Sequence, residues 1–311
     1  MTETARLPQY VIAGLGQTGL SCVRYLQQQS VAFKVWDTRA GFSVSEELAA
    51  QVNADITCGE LPQHYWQGVT HLVLSPGIAT DLPEVTRARQ AGVSVIGDIE
   101  LFAHAVNQPV IGITGSNGKT TVTLLTTHIL QQLGFNAIAA GNVGLPALDS
   151  LQHKADISVL ELSSFQLETT LSLALSAGAI LNISADHLDR HHTLAAYSEA
   201  KQRIFDHCRV AVVNRDDSNT MPMTAVETKV ATGLTQASED FGWDAARQTI
   251  THNGKSLLAL ADTALVGLHN ALNIQSALAL VSVFSQDMTA AAEAVKSFKS
   301  APHRCTKIAE V

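Results

Sequence analysis

The stretch Gly115-Ser116-Asn117-Gly118-Lys119-Thr120-Thr121 carries the strongest chemical signal in the chain. An apolar run, Val110–Thr114, leads into it, and a helical pattern follows over 120–133 until Gly134 stops it. In that setting backbone N–H groups cradle phosphates, the Lys119 ammonium reaches β and γ oxygens, and the Thr120 hydroxyl binds Mg2+. The spacing departs from GxxxxGK(S/T), because Ile113 stands where the first glycine belongs. The bland alternative is a helix N-cap with an unrelated lysine.

Glu161 ends the apolar run Ile157–Glu161. A carboxylate at a strand terminus beside a phosphate loop suits Mg2+, directly or through water, although many such residues only solvate an edge. Asp186-His187-Leu188-Asp189-Arg190-His191-His192 follows a strand expected over 179–183. It gathers oxygen and nitrogen donors, yet no cysteine joins it and no zinc spacing fits. Lys201 alone reads as a solvated helix lysine.

A second glycine loop, Gly14-Leu15-Gly16-Gln17-Thr18-Gly19, matches GxGxxG between a strand and a helix, and Asp37 lies about twenty residues on. Such glycines let a phosphate approach backbone N–H groups at a helix N-terminus. NAD(P), another nucleotide and tight packing without a ligand all stay open for this loop.

These loops need strands to hold them. Strands are expected at Tyr10–Ala13, 31–36, His71–Leu74, Val110–Thr114, 157–162, 179–183 and 210–214, and helices after Gly19 through about Gln28, at Asp98–Ala105, 120–133 and 270–284. Asn253-Gly254 between apolar stretches marks a hairpin. Alternating βα units imply parallel sheets with ligand loops at the strand C-termini. The expected fold class is α/β: a Rossmann-like N-terminal domain over 1–97, then a P-loop ATPase-type α/β domain over 98–301.

The chain has 311 residues, which at roughly 150 per domain gives about two. Hydrophobic residues are 46% and charged ones 15%, enough apolar matter for a large core. The net charge of −8 argues against a general nucleic-acid binder. Cys22, Cys58, Cys208 and Cys305 are scattered without CxxC spacing, so no disulfide framework or structural zinc is expected and a reducing compartment fits. Neither a signal peptide nor a membrane span is evident, and the expectation is a cytoplasmic protein.

Taken together these residues resemble the Mur ligase family, the ATP-dependent amino-acid ligases of peptidoglycan assembly. The matching stretches are GLGQTGLS, WDTR, SPGI, GDIELF, ITGSNGKTT, GNVGLPAL, LELSSFQLE, DHLDRH, AK at 200–201, GLHNALN and PHR at 302–304. They run in order over nearly the whole chain, and SSFQLE points to the D-glutamate-adding branch.

The resemblance implies a first domain that binds the UDP of the substrate, with Gln17, Thr18, Asp37, Thr38, Arg39 and Ser75 at that site. Asn142, Ser163 and Gln166 are implied toward the same UDP-N-acetylmuramoyl-L-alanine substrate. For ATP it implies Gly115, Ser116, Asn117, Gly118, Lys119, Thr120 and Thr121, with Asn270 and Asn273 on the adenine side and Arg304 facing the nucleotide. It implies two Mg2+ sites drawing on Thr120, Glu161, His187 and Lys201, the last carbamylated by CO2. Lys119, Glu161, His187 and Lys201 are the implied catalytic group. D-glutamate is the implied third substrate, and a monomer the implied state. In the family a third domain binds the amino acid. Here 302–311 reads as its stub with the rest absent, so binding without full ligation is expected of this chain. The rival readings are a non-catalytic nucleotide-binding module and an NAD(P)-dependent oxidoreductase.

Overall fold

The computed structural model describes residues 9–299; Arg304 and the segment 302–311 lie outside them. Two compact units divide the chain. Among the described residues the first comprises 9–106, 146–153 and 165–173, and the second comprises 107–145, 154–164 and 174–299.

The first unit is built on five parallel strands, β1 (Tyr10–Ala13), β2 (Phe33–Asp37), β3 (Ile56–Cys58), β4 (His71–Leu74) and β5 (Ser94–Ile96). Their order is β3-β2-β1-β4-β5, so the direction of strand addition reverses at β1. Helices α1 (Gln17–Gln28), α2 (Glu46–Val52), α3 (Pro83–Gln90) and α4 (Asp98–Ala105) connect or follow these strands. A core of Val11, Trp36, Leu72, Leu74 and Val85 lies between sheet and helices. A doubly wound sheet binds ligands outside the strand C-termini at the point of reversal. There the loops after β1 and β4 meet: a Cβ placed on Gly14, whose φ is +94°, would lie 2.9 Å from the Ser75 Oγ.

The second unit holds a six-stranded parallel sheet of β6 (Val110–Thr114), β7 (Ala137–Gly141), β8 (Ile157–Glu161), β9 (Leu175–Ile180), β10 (Cys208–Asn214) and β11 (Thr228–Thr232), in the order β11-β10-β9-β6-β8-β7. β6 and β8 are buried throughout, as their apolar runs demand of central parallel strands. Helix α5 (Lys119–Gln132) returns from β6 and buries Val122, Leu125, Ile129 and Leu130. A small antiparallel sheet of β12 (Phe241–Asp244), β13 (Thr249–His252) and β14 (Lys255–Ala259) follows. Asn253 and Gly254, with φ of +50° and +73°, form the expected hairpin turn. The helix Leu268–Val281 packs its Ile274, Leu278 and Val281 into the same core.

Several strand ends differ from expectation. β2 begins at Phe33 rather than 31 and β10 at Cys208 rather than 210. β9 spans Leu175–Ile180 rather than 179–183, pairing Ala177 to Ile180 with Ile111 to Thr114 of β6 and Leu175 with Cys208 of β10. Among the described residues, no helix is long and apolar enough to cross a membrane.

Candidate active site

The phosphate loop leaves β6 at Thr114 and enters α5 at Lys119. Gly118 is the N-cap with φ +87°, in the left-handed region that glycine tolerates best. A Cβ there would also lie 2.5 Å from the Asn273 Oδ1, so the backbone passes too close to that amide for a larger residue. Asn273 donates to Asn270 at 3.0 Å, and Asn270 to the Val266 carbonyl at 2.8 Å. This amide pair flanks the loop from the helix Leu268–Val281.

Lys119 folds back over the loop, its Nζ donating to the carbonyls of Gly115 at 2.8 Å and Ser116 at 3.0 Å. Next to it, the Thr120 hydroxyl donates to Glu161 Oε2 at 2.7 Å, while the Asn142 amide donates to Glu161 Oε1 at 2.7 Å. One buried carboxylate at the end of β8 thereby gathers the first turn of α5 and the loop after β7. The first-turn N–H groups of a helix have no intrahelical partner and face an anion favourably.

Lys201 is 1% exposed, contrary to its reading as a solvated lysine. Its Nζ donates to the Thr114 Oγ1 at 3.2 Å and lies 4.5 Å from the centre of the Tyr197 ring. Burial, helped by repulsion from Lys119, pushes its ammonium down from 10.5 to about 7. Tyr197 sits one helical turn earlier, and its hydroxyl is 3.2 Å from the Ser116 Oγ. The ring also meets His191 at 5.2 Å and His187 at 6.4 Å between centroids. His191 is buried with Nε2 2.9 Å from the Ser164 hydroxyl, whereas His187 is exposed, with φ +51° and Nε2 3.7 Å from Asp186. Among the described residues no group of three His, Cys, Asp or Glu side chains gathers as a metal site. The cluster is one of hard oxygens and amines, unlike a zinc centre.

In the first unit, Asp37 is 2% exposed and fully engaged. Its Oδ2 accepts from the Leu15 N–H at 3.0 Å and from Arg39 Nη2 at 2.8 Å, and its Oδ1 from Arg39 Nε at 2.8 Å. The Arg39 guanidinium holds the Asp37 carboxyl below its usual range. That guanidinium stacks 3.8 Å from the centre of the Phe42 ring. Gln17 and Thr38 are exposed and Thr18 and Ser75 half-buried around the same strand ends. Gln166 donates to Asp98 at 3.1 Å, and burial pushes the Asp98 carboxyl up to about 6. Ser163 is half-buried just after β8.

Thr114, Tyr197 and Asn182 carry no sequence signal of their own. The one available hint was that Tyr197 precedes Lys201 by four positions on one helix, which places both on one face.

The fold and this loop define a nucleotide-binding α/β protein of the phosphate-loop class. A family model described as Mur ligase middle domain matches residues 113–281, and another, described as Mur ligase MurD-like, N-terminal domain, matches 8–97. The chain belongs to the Mur ligase family, whose members are ATP-dependent, use Mg2+ and act in peptidoglycan precursor synthesis. It is 41% identical over 310 residues to the UDP-N-acetylmuramoylalanine–D-glutamate ligase of Alcanivorax borkumensis, covering 96% of this chain and 68% of that one. Against the ligase of the same name from Vibrio parahaemolyticus the identity is 44% over 313 residues, covering 100% and 71%. Two solved structures share the fold. A UDP-N-acetylmuramate:L-alanyl-gamma-D-glutamyl-meso-diaminopimelate ligase from Neisseria meningitides gives a TM-score of 0.64 at 16% identity, covering 95% of this chain and 99% of that one. A UDP-N-acetylmuramate-alanine ligase from Thermotoga maritima gives 0.56 at 21%, covering 94% and 68%.

Proposed function

We propose that this chain acts in the ATP-dependent joining of D-glutamate to the carboxyl group of UDP-N-acetylmuramoyl-L-alanine. The observation that carries the reading is the cluster of Lys119, Thr120, Glu161 and Asn142 at the strand ends of the second unit. Relatives with 41–44% identity over almost the whole chain bear that activity in their names.

In this reading residues 1–97 take the UDP-substrate, with Gln17, Thr18, Asp37, Thr38, Arg39 and Ser75 around the uridine nucleotide. Asn142, Ser163 and Gln166 meet the rest of it. Residues 98–301 bind ATP through the loop Gly115–Thr121, with Asn270 and Asn273 toward the adenine and Arg304 matching an arginine that faces the nucleotide. The protein works in the cytoplasm as a monomer.

The substrate carboxylate attacks the γ-phosphorus of ATP, and ADP leaves with the electrons of the broken P–O bond. The amine of D-glutamate then attacks the acyl carbon, loses a proton and expels phosphate. Lys119 neutralises charge on the transferring group, which is the main need of phosphoryl transfer.

The donor set fits Mg2+. Thr120 gives its proton to Glu161, which leaves its oxygen lone pairs for a hard cation. Thr120 and Glu161 would hold one ion, and His187 and Lys201 would contribute to a second. Mg2+ would shield the negative charge of the phosphates. A lysine pushed to about 7 has an available lone pair at neutral pH. That lone pair adds to the carbon of CO2, the nitrogen loses a proton to solvent, and a carbamate results. The site would then hold an anion in place of a cation.

An NAD(P) oxidoreductase is disfavoured by the relatives, which are named as ligases over almost the whole of this chain.

The test is transfer of label from UDP-N-acetylmuramoyl-L-alanine carrying 18O in its carboxylate, incubated with Mg-ATP. The expected result is 18O in the released phosphate, whether D-glutamate or water takes the acyl group at carbon. Phosphate release without label, or without need for the UDP-substrate, would overturn the proposal.

A further inference from the structure

Two consecutive peptide units of the phosphate loop, 115–116 and 116–117, are gripped from both sides. On one side their carbonyls, Gly115 O and Ser116 O, accept from the Lys119 ammonium. On the other side their N–H groups point to a single residue beyond the end of β9. Ser116 N donates to the Asn182 backbone carbonyl at 2.9 Å, and Asn117 N to the Asn182 Oδ1 at 2.9 Å. The Asn182 Nδ2 returns a bond to the Asn117 carbonyl at 3.0 Å, closing a cyclic pair between side-chain amide and backbone. A primary amide offers a donor and an acceptor side by side, which is what this pairing needs.

The surroundings repeat the pattern. The Ser116 hydroxyl donates to the Ser184 carbonyl at 3.0 Å and accepts the Ser184 N–H at 2.9 Å. A Cβ on Gly115 would lie 3.1 Å from Leu181 Cβ and 3.4 Å from the Asn182 N, so the loop lies directly against this segment. In a trans peptide the N–H and C=O point in opposite directions. Fixing the two N–H groups on Asn182 therefore fixes the two carbonyls toward Lys119. The same bonds remove the Ser116 and Asn117 amides from contact with an anion, leaving the first turn of α5 to receive it.

We propose that Asn182 is a positioning residue for ATP, acting through these two peptide units to aim the Lys119 ammonium. The proposal rests on the ATP reading above. It places the control of the phosphate loop on the strand-end segment that also leads to Asp186 and His187.

The test is a double-mutant cycle on the full 311-residue chain, reading ATP, ADP and AMP affinities by calorimetry with Mg2+ and melting temperature alongside. Asn182→Ala is expected to weaken ATP and ADP ~10-fold or more, the scale of two lost neutral bonds, and to leave AMP unchanged. In a Lys119→Ala background the same change is expected to have almost no further effect, because the group it aims is gone. Asn182→Ser, which keeps a short polar side chain, is expected to recover part of the affinity and serves if the alanine variant folds poorly. Unchanged ATP affinity in Asn182→Ala overturns the proposal, as does an equal loss for AMP or an equal loss with and without Lys119. A parent chain with no ATP affinity overturns the ligase reading, and this proposal with it.

Discussion

The Thr120 hydroxyl lies 2.7 Å from the Glu161 carboxylate, across 41 residues of sequence. The bond ties the first turn of α5 to the end of β8 and gives the hydroxyl proton a fixed destination. With its proton turned to Glu161, the Thr120 oxygen is oriented to accept a cation. Glu161→Gln keeps the size and can still bond Asn142 and Thr120, but it removes the charge. It is expected to weaken ATP binding about tenfold in Mg2+ and to leave the affinity in EDTA unchanged. Thr120→Ala is expected to act in the same direction and Thr120→Ser to be near neutral. Calorimetry with and without Mg2+ checks this.

Lys201 should make stability depend on pH in a defined window. Its ordinary value is 10.5 and its value in the fold is about 7. Between these the unfolded chain binds the extra proton, so stability rises with pH from about 7 to about 10.5. Below pH 7 both states are charged and the full penalty of burying the ammonium applies. Lys201→Met is expected to raise the melting temperature by ~2 °C or more at pH 6.5 and by less at pH 9.5. The same variant is expected to lose activity, while Lys201→Ala recovers part of it in acetate. 13CO2 NMR should find a carbamate in the parent above neutral pH. A pH-independent difference in melting temperature would remove the buried-ammonium account.

Arg39 holds Asp37 with two bonds and keeps its carboxyl ionised. A carboxylate with a depressed value contributes stability at neutral pH and loses it as pH falls through the folded value. Arg39→Ala is expected to destabilise the chain most at neutral pH, the difference from the parent shrinking as pH falls below about 4, and to weaken UDP-N-acetylmuramoyl-L-alanine about tenfold or more. ATP affinity should not change, since Asp37 and Arg39 belong to the first unit and the phosphate loop to the second. Acid unfolding curves and two calorimetric titrations read the three effects.

Much of this site was legible before any coordinates. Strand–loop–helix order located both glycine loops, because turn glycines and helix N-termini leave local signatures. The Asn253-Gly254 hairpin was equally local. The ends of β9 were not legible: the run from Leu173 to Ile183 is apolar nearly throughout, and without alternation it fixes no boundary. The short strands β3 and β5 and the alanine-rich β7 gave too weak a pattern to find. The state of Lys201 was also hidden, since its burial depends on Thr114 and Tyr197 meeting it in three dimensions. Asn182 escaped notice for the same reason, being one asparagine in a run whose partners lie 65 residues away.

The central claim is that the first glycine loop serves a uridine nucleotide while the second serves ATP. Calorimetric titration of UDP-N-acetylmuramoyl-L-alanine and of NADH into the 311-residue chain tests it most directly. The account predicts saturable heat with the UDP-substrate, lost in Arg39→Ala and kept in Lys119→Ala, and none with NADH. Binding of NADH in place of the UDP-substrate would contradict it.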